Sequence, residues 1–150
     1  ELALDADTIE LIEIAGMVHD IGKIAIPDAL LMKLEPLSAD EWLTVREHVR
    51  IGVDLLRPPR HLSPMLPFVR DHHECWDGSG YPEGRRGEEI SIGGRILMVA
   101  NAYTASVAGR PYDDALTPAQ ALARVEQYAG TRFDPVVVRA LRAVVERDAT

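Results

Sequence analysis

Four short segments carry side chains able to hold a metal ion: His19-Asp20, His48, His72-His73 and, through a neutral carbonyl oxygen, Asn101. Imidazole nitrogens suit Zn, Fe, Mn or Ni, and a carboxylate such as Asp20 can bridge two ions while offsetting their charge. Two ions about 3.5–4 Å apart are a recurrent device for phosphoester hydrolysis, because they activate water and stabilise an in-line transition state. A lone histidine is more often a surface or satisfied core residue, and His61, beside prolines, is read that way. The segment HHECWDGSGYP at 72–82 differs: two adjacent imidazoles and Glu74 run into a glycine-rich bend.

The elements that position these groups read as helices. DADTIELIEIAGMVHDIGK is helical, with Asp7 as its cap, Ile9, Ile12, Ala15 and Val18 or His19 at helical spacing, and Gly22 as a stop. Pro27-Asp28 opens a short segment, DALLMKL. Ser38 and Glu41 have capping-box spacing before a helix over 39–56, with Trp42, Val45, Val49, Val53 and Leu56 on one apolar face. Arg57-Pro58-Pro59 ends it. Ser63-Pro64 reads as an N-cap with proline at the first helical position, followed by Leu66, Val69 and His73 on one face. DGSGYPEGRRGEE carries four glycines and is a loop. Ser91 caps IGGRILMVANAYTASVAG, Thr117-Pro118 opens a helix ending near Gly130, and Asp134-Pro135 opens the last. The fold expected is an all-α helical bundle of about six helices, which can aim side chains from several helices at one point. Neighbours on a helix point about 100° apart. The 19/20 and 72/73 pairs therefore converge only at helix ends or on neighbouring ions.

Composition narrows the chemistry. The 150 residues suit one domain and one core, built from aliphatic side chains because aromatics are only 5%. The net charge of -8 argues against binding a nucleic acid polymer, and an anionic small ligand then needs cations or metal ions beside it. The single cysteine, Cys75, fits a reducing, cytoplasmic compartment, and no apolar run is long enough for a membrane span.

HDIGK at 19–23, His48 with Gly52, and HHECWDGSGYP at 72–82 together resemble the HD-GYP family, a branch of the HD phosphohydrolase superfamily. RPY at 110–112 and FDPVVVRAL at 133–141 extend the resemblance over nearly the whole chain. It implies an HD-domain-like fold over residues 1–150 without the family's upstream N-terminal helix, and two or three divalent ions such as Fe or Mn. It implies hydrolysis of cyclic di-GMP to pGpG or GMP in bacterial signal transduction. Residue by residue it implies His19 and Asp20 as metal ligands with Asp20 bridging, His48, His72 and His73 around the second metal, and Lys23 near a substrate phosphate. Arg110 would meet phosphate or guanine, and Tyr81 would offer a stacking face to substrate. The Gly80-Tyr81-Pro82 loop would dock a diguanylate cyclase or other signalling protein. Gly78 and Gly80 permit positive φ, and Glu74 and Asp77 are expected to orient the histidines or the loop.

The chain departs from the family pattern on one side of the centre. Asn101 stands where the family has a metal-ligating aspartate, Thr104 replaces a second aspartate, and Asp113 follows RPY where a basic residue is common. The set Asp20, His48, His72 and His73 is complete, so one metal position is expected to survive better than the other. Three readings follow: a metal-dependent cyclic di-GMP phosphodiesterase, a catalytically weakened module that senses the dinucleotide or docks proteins, and a hydrolase of another phosphoester.

Overall fold

The computed structural model describes residues 1–58, 60–109 and 115–148. Arg110 and Asp113 lie outside the described residues. Seven α-helices are present among the described residues, with no strand: α1 (Ala6–Val18), α2 (Asp28–Leu31), α3 (Ala39–Leu56), α4 (Leu66–Asp71), α5 (Ile92–Ala108), α6 (Pro118–Glu126) and α7 (Pro135–Asp148). Short 3-10 turns cover Ile21–Ala25, Arg60–Met65 and Gly87–Glu89.

Local chemistry sets the ends of these helices. The Ser38–Glu41 capping box opens α3 as expected, and Thr117 with Gln120 makes a second one at α6. Three boundaries differ from expectation. Asp5, not Asp7, caps α1, its carboxylate accepting the Thr8 N–H at 2.7 Å, while Asp7 sits in the first turn. Pro64 lies inside the 3-10 turn rather than at a helix start, and Pro67 takes the first-turn place in α4, where a missing N–H costs nothing. α6 stops at Glu126, and Gly130, at φ 84°, closes the turn that follows.

The core lies on both sides of α5. Leu97 packs with Ala15 of α1, Leu56 of α3 and Met65 and Val69 around α4. Met98 and Val99 face Val125 of α6, Phe133, and Val137 and Val138 of α7. Along α3, Val49 and Leu56 are buried, but Trp42 is 46% exposed. It stands in the first turn of the helix. Two close approaches fix the frame around the site. Gly22 abuts α3 at His48 and Gly52, and α5 meets α4 at Gly93 and Gly94. Ser91 strengthens the second, its N–H donating to buried Asp71 at 2.9 Å and its hydroxyl to the Pro67 carbonyl at 3.0 Å.

Candidate metal centre

Three elements deliver the centre. His19 is the C-cap of α1, and Asp20 follows with φ -97° and ψ 7°, so the chain leaves the helical path between them. His72 is the C-cap of α4, with His73 in the turn beyond. Both pairs thus sit at helix ends, the one place where adjacent side chains can face a common point. His48 comes from the buried side of α3.

Each of three histidines donates through Nδ1 to the carbonyl three residues earlier: His19 to Gly16 at 2.8 Å, His48 to Val45 at 2.6 Å and His72 to Val69 at 2.5 Å. A carbonyl only accepts, so the proton is on Nδ1 and the neutral ring turns its Nε2 lone pair the other way. For His48 and His72 that way is toward Asp20: their Nε2 atoms lie 3.4 and 3.8 Å from Asp20 Oδ1. All three of these atoms are buried and lack a hydrogen-bond partner. Converging lone pairs without protons between them repel, and each unsatisfied buried atom costs about 1–3 kcal/mol. A divalent cation removes both penalties. Ligand atoms of Asp20, His48, His72 and His73 all lie within 4.8 Å of one another, so these four residues could hold a metal ion. The donor set, three imidazoles and a carboxylate, suits a borderline transition metal.

Burial tunes the same groups. It pushes His73 down to about 2, with His72 and His48 nearby adding to the effect, and it also lowers His48. Both rings therefore remain neutral, as ligation requires. For Asp20 burial alone would favour the protonated form, but its basic neighbours, His19 and His72 when protonated and Lys23 throughout, outweigh it and hold the carboxyl far below the usual range. Lys23 Nζ donates to Asp20 Oδ2 at 2.6 Å.

His19 differs from the other histidines. Its Nε2 faces the Asn101 side-chain nitrogen at 3.1 Å and Asp20 Oδ2 at 3.4 Å. With the amide nitrogen turned to it, the Nε2 lone pair is already engaged. Thr104 turns back onto its own helix, bonding the Ala100 carbonyl at 2.9 Å, and takes no part in the centre.

The glycine-rich loop folds against the histidines. The Tyr81 N–H donates to the His73 carbonyl at 3.1 Å, and the Tyr81 ring stacks on the His73 ring with centroids 4.7 Å apart and planes 19° apart. Burial raises the Tyr81 phenol to about 12, so it stays protonated at neutral pH. Buried Glu74 accepts the Glu83 N–H at 2.7 Å and the Arg85 N–H at 3.0 Å, clamping the far limb of the loop. Asp77 accepts the Ser79 N–H at 2.9 Å and holds the first bend. Gly78 does adopt positive φ, 85°, but Gly80 does not. At Gly80 the constraint is space, because a Cβ would lie 2.5 Å from the His73 carbonyl oxygen. The Tyr81–Pro82 peptide is cis.

The structure thus brings His19, Asp20, Lys23, His48, His72, His73, Tyr81 and Asn101 together, and leaves His61 on the surface. Sequence reasoning missed Arg46, whose guanidinium lies 4.7 Å over the Tyr81 ring, and Asp71, which joins Arg70 to the start of α5. The absence of a carboxylate three or four residues either side of Arg46 was a readable signal; the contact with Tyr81 was not.

Residues 1–137 match the family model of the HD domain. The chain is 41% identical over 143 residues to the cyclic di-GMP phosphodiesterase response regulator RpfG of Xanthomonas campestris, covering 94% of this chain and 38% of that protein. It is 39% identical over 146 residues to a cyclic di-GMP phosphodiesterase of Vibrio cholerae, covering 93% and 30%. It therefore spans roughly a third of the length of these curated relatives. A solved cyclic GMP-AMP specific phosphodiesterase of Vibrio cholerae shares the fold, with a TM-score of 0.72 at 20% identity, over 97% of this chain and 40% of that one. With HDIGK, His48 and the HHE–GYP segment gathered at one centre, the chain belongs to the HD-domain family, in its HD-GYP branch.

Proposed function

We propose that residues 1–150 form a metal-dependent phosphodiesterase domain that hydrolyses cyclic di-GMP to pGpG or GMP. The observation that carries this reading is the buried, partnerless trio Asp20 Oδ1, His48 Nε2 and His72 Nε2, with His73 completing a four-residue ligand set. The relatives named above as cyclic di-GMP phosphodiesterases favour this substrate. Asp20, His48, His72 and His73 would hold one divalent ion; their donors suit a transition metal, and the family resemblance favours Fe or Mn. A further ion of the family's two or three would rest on Asp20, His19 and Asn101, a weaker set because Asn101 brings no charge. Ions held at this centre would supply Lewis-acid polarisation of a phosphoryl oxygen and activation of water.

The chain's own groups do the rest. Asp20 stays anionic, and Lys23, held beside it, places a positive charge where the scissile phosphate enters. Tyr81 braces His73 rather than presenting a free face to a base. Arg110 remains a candidate for phosphate or guanine, outside the described residues. The exposed rim of the loop at Pro82 is the surface offered to a diguanylate cyclase or other signalling protein. No helix among the described residues is long and apolar enough to cross a membrane, and the free Cys75 fits the cytoplasm.

The experiment is hydrolysis of cyclic di-GMP, with cyclic GMP-AMP in parallel, by protein loaded anaerobically with Fe(II) or Mn(II), together with elemental analysis. Turnover of cyclic di-GMP is expected; absence of turnover with either metal would defeat this reading. The engagement of His19 by Asn101 supports a second reading, a weakened module that senses the dinucleotide, for which binding without turnover is the signature.

A further inference from the structure

Arg46 sits two residues before His48 on α3, over the ring of Tyr81, which itself stacks on His73. Two stacking steps of 4.7 Å each thus connect the ligand set to this guanidinium. Arg46 and Tyr81 line a groove of about 700 Å³ between α3 and the loop, closed on the loop side by Pro82 and Glu83.

The other cations of the groove are neutralised within the protein. Arg50 bonds Glu47 at 2.9 Å and Asp54 at 3.1 Å, Arg57 pairs with Asp54 at 3.1 Å, and Arg70 bonds Asp71 at 2.7 Å. Among the described residues no carboxylate lies within ion-pair reach of Arg46. Its neighbours at three and four residues either side are Trp42, Leu43, Val49 and Arg50, so its own helix supplies none. Glu83, across the groove, is turned to Arg85 at 2.7 Å. In a chain of net charge -8, an exposed arginine kept free of acids and oriented by an aromatic face is a ready anion receptor.

We infer that Arg46 binds the second, non-scissile phosphodiester of the cyclic dinucleotide, with the groove beside it seating that half of the ring. This rests on the proposed substrate. A cyclic dinucleotide carries two phosphodiesters; the metal centre and Lys23 would serve one, and the other needs a further cation, which Arg46 offers two ring contacts from His73. The guanidinium fork can hold both non-bridging oxygens of a phosphodiester at once. Arg46 is then a positioning residue that separates cyclic dinucleotides from substrates with a single phosphate.

The test compares wild type, Arg46→Gln and Arg46→Lys, all with Mn(II), by calorimetry. The probes are the slowly hydrolysed phosphorothioate analogue of cyclic di-GMP, GMP, and Mn(II) alone. Arg46→Gln is expected to weaken the dinucleotide analogue roughly 10–100-fold while leaving GMP and Mn(II) affinities within about twofold. Arg46→Lys should recover part of the loss, since it keeps the charge without the fork. Unchanged affinity for the analogue in Arg46→Gln would overturn the inference alone, leaving the substrate reading standing. Equal losses for the analogue and GMP would overturn it too, because Arg46 would then act through Tyr81 and His73. Failure of the wild type to bind the analogue at all would bring down the substrate reading and this inference together.

Discussion

Replacing Gly22 by alanine tests how the metal centre is held together. The turn after Asp20 lies directly on α3, and a Cβ at position 22 would meet the His48 carbonyl oxygen inside van der Waals contact, with Gly52 N at 2.6 Å and His48 C at 2.9 Å. These are backbone atoms, so no rotamer change relieves the overlap. Ordinary contact begins near 3.4 Å, and the turn and α3 must therefore separate by roughly 1.5 Å. Overpacking a rigid contact costs about 1–3 kcal/mol or more, and the upper end is expected here. That corresponds to a Tm lower by roughly 6–12 °C for a domain of this size. The same displacement carries His48 away from Asp20, so Mn(II) affinity should fall at least about tenfold. Gly16→Ala is the control. It lies inside α1, its Cβ would meet Leu97 Cδ2 at an ordinary 3.6 Å, and the Gly16 carbonyl that holds His19 is kept. It should stabilise by about 0.5–1 kcal/mol. Thermal melts by circular dichroism and Mn(II) titration read both variants. Should Gly22→Ala melt with the wild type, or melt early yet keep full Mn(II) affinity, the claim that this contact sets the ligand geometry is refuted.

Asn101→Asp adds an anion facing His19 and should raise bound metal per chain and the phosphodiesterase rate; elemental analysis showing no change would remove Asn101 as the weak point. Stripping the ion with a chelator should lower Tm, because the lone pairs of Asp20, His48 and His72 then face each other unscreened; at metal concentrations 100-fold above Kd the ion contributes about 2.7 kcal/mol. The metal-free protein should weaken below neutral pH. His73, lowered from 6.5 to about 2, stays unprotonated when folded while the unfolded chain takes up a proton, so stability is lost as pH falls below 6.5. At pH 5.5 that loss is about 1.4 kcal/mol from this ring. His48 acts in the same direction and His19, raised chiefly by its bond to Asp20, opposes them. Denaturant titrations at two pH values check it, and equal stability at both would contradict the assignment. Glu74→Ala strands the Glu83 and Arg85 N–H groups and should destabilise by about 2–3 kcal/mol, with faster proteolysis in the 78–87 loop; a loop equally resistant to protease would show that Glu74 does not clamp it.

Much of this arrangement was legible from residue order. The capping box at Ser38 and Glu41, Ser91 before its helix, and Asp134-Pro135 before the last one act within a few residues of the chain, so their chemistry can be read locally. The adjacent metal-capable pairs at 19/20 and 72/73 likewise pointed to helix ends or to neighbouring ions, and both pairs are found at helix ends. Local reading failed at three places, two of them set by contacts with His73, seven and eight residues back along the chain. Pro64 looked like a helix start but sits in a 3-10 turn, and Gly80 looked like a positive-φ glycine but is small because the His73 carbonyl lies against it. Tyr81 looked like a free stacking face and is instead packed on His73 beneath Arg46.

The sequence by itself determined the all-helical character, most of the caps, the acidic character and the kinds of ligand available, since propensity, capping and charge depend on residue type and short spacing. Only the tertiary structure decided that His48, 28 residues from Asp20, points its bare Nε2 at the same place as His72, and that Asn101 engages His19 from 82 residues away. Those relations come from close backbone packing at Gly22 and around α5, and packing between distant segments leaves no short-range trace in the order of residues.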